Sequence, residues 1–145
     1  MCYAMKRRFF LFLVSMCSLA LVSYAADPIA VPFKVTSQQF ESGDSITIQE
    51  VIATSPQLKV GDTVVVRGHY QLHSKPKAAL CLFLTSKGPS GPGPVSPKQQ
   101  LAIEEGAGSF ELMHVVPAEG YLHVSFYPRP SGSSFGGIYF GPATP

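Results

Sequence analysis

Gly132-Ser133-Ser134-Phe135-Gly136 spells G-x-S-x-G, the spacing of a hydrolase nucleophile elbow. That chemistry needs the serine on a sharp strand-to-helix turn, with acid and histidine partners following it in the chain. Eleven residues follow Ser134, and none of them is Asp, Glu or His. Gly136, Gly137, Gly141 and Pro142 also oppose a following helix. A triad in another chain order would need a histidine and an acid brought to Ser134, and no strand pairing read from the sequence does this. The match is read as fortuitous. No catalytic residue and no cofactor are assigned, and the chain is not expected to be an enzyme.

Metal ligation is the second chemistry to weigh, because the chain has four His. His69 and His73 stand in H-x3-H spacing, which converges on one face of a helix. On a strand the same two residues share a face but lie about 13 Å apart, too far to hold one ion. Met113-His114 splits its side chains to opposite faces. A His-based metal site is then left only to a cross-strand group of His69, His114 or His123, and no metal ligand is assigned. A third chemistry is stacking on sugar rings: Tyr121, Tyr127 and Tyr139 are candidates to share one outward face.

The elements that must position these residues are strands. Short apolar runs alternate with Gly, Pro, Ser and Asp, and none sustains a helical period. "SITIQEVI" is expected to turn Ile46, Ile48 and Ile52 to one side. "VGDTVVVRGHYQL" turns Val64, Val66, Tyr70 and Leu72 inward and Arg67, His69 and Gln71 outward. "AALCLFLT" is apolar on both faces, as a central strand would be. "QQLAI", "GSFELMHVV", "YLHVSFY" and "GIYFG" complete seven strands. β-branched and aromatic residues concentrate in these runs. "SKGPSGPGPVSPKQQ" is read as a long surface connection, since its Gly and Pro density opposes regular structure.

About seven alternating strands over residues 46–141 predict an all-β domain, a single antiparallel β-sandwich. On that strand count and on the rhythms of "LKVGDTVVVRGHY" and "PAEGYLHVSFY", residues 45–141 resemble an immunoglobulin or fibronectin-III domain. The Cys…Trp…Cys core of antibody domains is missing, for the chain has no Trp. The resemblance implies that the connections after the second, fourth and sixth strands meet at one end. Those are "HSKPKA", "EEGAG" and "PRPSGSSFG". They would gather His73, Lys75, Lys77, Glu104, Glu105, Arg129 and Phe135 into a partner-binding rim of mixed charge around one aromatic.

The first 25 residues read as a signal peptide. Lys6, Arg7 and Arg8 precede the apolar run Phe9–Val22, and Ser23-Tyr24-Ala25 supplies small residues where a peptidase cuts. Retention of this segment as an uncleaved membrane anchor is the alternative. Residues 26–45 form an extended leader, with "VPFKV" a candidate edge strand, and 142–145 a short tail. With the signal removed, 8 Lys+Arg face 9 Asp+Glu, so no basic footprint for nucleic acid remains. Cys81 is then the one cysteine left, which excludes an internal disulfide and suits an inert buried thiol.

These readings converge on an exported, non-enzymatic module located in the periplasm, at the cell surface or outside the cell. It is expected to bind a protein or an envelope component through His73, Lys75, Lys77, Arg129 and Phe135. The alternative is a small ligand, either a carbohydrate on Tyr121, Tyr127 and Tyr139 or a metal on histidines.

Overall fold

A computed structural model describes residues 27–89 and 95–143. The signal-peptide reading of residues 1–25 and the 90–94 part of the Gly/Pro-rich connection lie outside the described residues. In chain order the strands are β1 Ile29–Ala30, β2 Phe33–Gln39, β3 Ser45–Ala53, β4 Thr63–Ser86, β5 Gln100–Val115, β6 Gly120–Pro128 and β7 Gly136–Pro142. A 3-10 turn, Pro97–Gln99, leads into β5. Its Ser96 hydroxyl accepts from Lys98 N–H while the Gln99 side chain accepts from Ser96 N–H, a reciprocal cap.

All pairings are antiparallel, and the seven strands form one continuous sheet in the order β1-β3-β4-β6-β7-β2, with β5 on the free side of β4. Two strands expected from the sequence have fused. "VGDTVVVRGHYQL" and "AALCLFLT" are halves of β4, which runs unbroken for 24 residues. "QQLAI" and "GSFELMHVV" are likewise halves of the 16-residue β5. "HSKPKA" and "EEGAG" are therefore not connections between strands.

The reason lies at the corner where β4 bends. Between Leu72 and Lys77 the ladder to β5 shifts register, so His73 to Pro76 bulge out of the pairing. Pro76 fits there because a bulge does not need its missing N–H. The turn-forming residues do not reverse the chain, because Asp44 holds them from the end of the β2–β3 connection. Its carboxylate accepts the N–H groups of His73 (2.7 Å) and Ser74 (2.9 Å) and the Ser74 hydroxyl (2.6 Å). Gly106 bends β5 at the matching point with φ of 126°, a conformation that favours glycine.

Bent this way, the sheet curls as a half-barrel around its own apolar face, and β3 approaches β7 across the interior. The N-terminal half of β4 lies between β3 and β5, and its C-terminal half between β5 and β6. Val64, Val66, Leu72, Leu80, Leu82 and Phe126 are the fully enclosed centre of the core. The inward set expected on the first half of β4 holds, with Val64, Val66 and Leu72 buried and Tyr70 packed against them. On β6, Leu122, Val124 and Phe126 point inward as the alternation requires.

Strand β3 departs from its expected face. Ile46 and Ile48 are buried, but Val51 and Ala53 follow them inward in place of Ile52. Gln49 is an extra residue between the pairs Ile48↔Gly68 and Glu50↔Arg67, and one inserted residue reverses the alternation beyond it. The leader contributes more than one edge strand: β2 pairs with β7, and β1 pairs with β3.

Candidate functional site

The outer face of the second half of the sheet carries the chemistry. Along β4, Ala79, Cys81 and Phe83 point away from the core; along β6, Tyr121, His123, Ser125 and Tyr127 do the same. Register places Cys81 opposite Ser125, Phe83 opposite His123, and His123 opposite Tyr139 of β7. "AALCLFLT" is apolar on both sides because its outer side is also covered. That pattern is the sequence signal for this face.

The covering groups form a chain of rings across three strands. Tyr127 meets Phe83 edge-on at 5.4 Å, Phe83 meets His123 edge-on at 6.4 Å, and His123 stacks on Tyr139 at 4.7 Å. The Tyr139 hydroxyl lies 3.2 Å from that of Thr85. Of the three tyrosines expected on one face, all point outward. Tyr127 and Tyr139 are half-buried in the ring chain, whereas Tyr121 is 54% exposed with the Lys87 ammonium 5.3 Å from its ring centre.

His123 and Ser125 share a hydrogen bond, Nδ1 to Oγ at 2.8 Å. Ser125 fits under β7 because Gly137 faces it: a Cβ at Gly137 would lie 2.1 Å from the hydroxyl. Both residues are buried, and among the described residues no carboxylate is bonded to His123. Burial pushes the Cys81 thiol up to about 11 and holds His123 below the ordinary imidazole value. Burial, then the neighbouring Cys81 and Tyr139, also raises the Tyr127 hydroxyl. At neutral pH Cys81, His123 and Tyr127 are therefore uncharged.

Beside this face opens a groove of about 510 Å³. Phe83 and Tyr127 line it with Pro97 and Gln100 on one side and, on the other, Pro128 at the end of β6 and Arg129 to Gly132 of the β6–β7 connection. Among the described residues Arg129 is its one charged residue, and Cys81 also lines it. A second hollow of about 440 Å³ lies across β3, β4 and β5, lined by Gln49, Arg67, Leu101 and Ser109. Arg67 is held there between Glu111 (2.6 Å) and Glu50 (2.9 Å).

Of the five residues expected at one rim, Lys75 and Phe135 meet near His73, while Arg129 lies apart from them. His73 and Lys75 stay together at the β4 corner, His73 3.6 Å from Glu105 and Lys75 3.9 Å from Glu41. Lys77 stands opposite Glu104 in the ladder. Phe135 turns toward the core, where it stacks on Phe126 at 5.6 Å beneath the Lys75 ammonium, 4.7 Å away. Arg129 goes to the groove on the other face. Ser134 is exposed on the connection between β6 and β7. Among the described residues no three His, Cys, Asp or Glu side chains gather around a point that could hold a metal ion. His69 is exposed on the outer face of β4, and His114 is half-buried at the core edge. No protein-family model, curated protein or solved structure matches this chain.

Proposed function

We propose that the protein is an exported, non-enzymatic binding module that takes a carbohydrate on its outer face. The observation that carries the reading is the groove: a 510 Å³ concavity with Phe83 and Tyr127 in its wall and a few polar groups at its rim. Its volume falls within the range of small-ligand sites, and aromatic faces suit the C–H faces of sugar rings. Export rests on the charged and apolar composition of residues 1–25. The rival reading, a protein or envelope component held by His73, Lys75, Lys77, Arg129 and Phe135, is weaker. Its aromatic anchor packs against Phe126, and Arg129 faces elsewhere.

A glycan array with the purified full chain tests the reading. It predicts at least one oligosaccharide binder, weakened at least tenfold by Tyr127→Ala with the circular dichroism spectrum unchanged. An array with no binder, or binding indifferent to both Tyr127→Ala and Phe83→Ala, would sink it. N-terminal sequencing of the cell-derived protein tests export, with cleavage expected after Ala25 or Ala26.

A further inference from the structure

The groove has a marked charge asymmetry. Among the described residues Arg129 is its only ionic residue and forms no ion pair. No Asp or Glu lines the groove. The nearest carboxylate along the β5 wall is that of Glu104, two residues beyond Ala102, and it stands opposite Lys77 in the ladder. The remaining polar side chains at the rim are Gln100, Tyr127 and Ser131. Gln100 and Ser131 can each donate a hydrogen bond, and so can the neutral Tyr127 hydroxyl. The guanidinium supplies a planar fork that matches a carboxylate with two parallel hydrogen bonds, and desolvation beside apolar walls strengthens such a pair. An apolar, aromatic wall alone would accept neutral rings; one unpaired arginine at its lip selects among them.

Building on the carbohydrate reading above, we propose that the ligand is an acidic sugar, a pyranose bearing a carboxylate, with its ring against Phe83 and Tyr127 and its carboxylate on Arg129. A neutral sugar would leave the guanidinium unpaired, and a cationic one would be repelled by it. Ring and carboxylate are recognised by different residues, so the two contributions separate experimentally.

The test is calorimetric titration of the purified full chain with trigalacturonate, an alginate trimer and sialyllactose. Methyl-esterified trigalacturonate and the methyl ester of sialyllactose serve as neutral counterparts of the first and the last, with the same rings. At least one acidic sugar is expected to bind tenfold or more tightly than its neutral counterpart, and Arg129→Gln is expected to remove that difference. Arg129→Lys should restore part of it, since charge returns without the fork. Arg129 is exposed, so a thermal melt of each variant should match that of the parent. Equal binding of acidic and neutral sugars would overturn the acidic-sugar assignment while leaving the carbohydrate reading intact. Acid preference that survives Arg129→Gln would overturn the role of Arg129, and binding of none of the five would overturn both.

Discussion

His123 is a base placed where its charged form is disfavoured. Its ring lies between Phe83 and Tyr139 and burial lowers its proton affinity, as it does for His114 at the core edge. Above about pH 6.5 both residues are neutral in the folded and the unfolded chain, so they add no pH dependence. Below it the unfolded chain takes up protons that the folded chain refuses, and stability falls with pH. Melting curves at pH 7.5 and 5.5 should show a lower midpoint at 5.5, with a smaller drop in His123→Phe. An identical drop in the variant would remove His123 from the account. At the other end of the sheet, Phe135 and Ser134 are neighbours with opposite weights. Phe135→Ala empties a position stacked on Phe126 and should cost about 1–3 kcal/mol in urea unfolding. Ser134→Ala changes an exposed position and should stay within about 0.5 kcal/mol. The pair measures how far Phe135 anchors the connection between β6 and β7.

Strand β4 keeps two segments of the chain in one element, and it depends on a carboxylate from outside itself. Burial alone would raise the Asp44 carboxyl, but the Ser74 hydroxyl and the N–H groups of His73 and Ser74 outweigh it and hold it below the ordinary carboxylate value. A depressed carboxyl stabilises the fold above its unfolded value and loses that contribution as pH falls below about 4. Asp44→Ala should leave two N–H groups at the bulge without their acceptor, costing about 1–3 kcal/mol and removing part of the acid sensitivity. Asp62 does similar work at the start of β4. It accepts from Lys59 N–H at 2.8 Å, from Thr54 Oγ1 at 3.2 Å and from the Ser55 hydroxyl. Close approach matters as much as hydrogen bonding in this strand. A Cβ at Gly68 would lie 2.0 Å from the Thr47 carbonyl oxygen and 3.0 Å from the Phe110 ring. Gly68→Ala should therefore cost at least about 2 kcal/mol in urea unfolding, whereas Gly88→Ala, with nothing within 4 Å, should be nearly silent. Comparable costs at the two positions would contradict the packing of β3 on β4.

At the scale of the molecule, the pairing that closes the fold is the least local. β2 and β7 join Phe33 to Pro142, so the leader forms one edge of the curled sheet. A chain whose contacts are mostly long-range and antiparallel should refold in milliseconds to seconds. Stopped-flow refolding, followed by tyrosine fluorescence because the chain has no Trp, should give that range; microsecond folding would contradict the topology. Much of the fold is legible before any of this. Alternation placed Val64, Val66 and Leu72 on β4 and Leu122, Val124 and Phe126 on β6 in the core, because the pleat puts every second side chain on one face. The double-sided apolar run at Cys81 could be read directly. Three features could not. Turn-forming residues at His73 to Pro76 look like a chain reversal unless Asp44, 29 residues earlier than His73, is known to hold them in a bent strand. Gln49 reverses the face of β3 only through its mismatch with β4. Arg129 and Phe135, six residues apart, part to opposite faces because one lines a groove with β5 and the other stacks on β6. Local pattern decides which way a side chain points from its own strand, and so the chain alone determined an all-β class and most of its core. Which strand lies beside it is decided by contacts distant in the chain, so only the tertiary structure could bring Phe83, Tyr127, Gln100 and Arg129 around one groove.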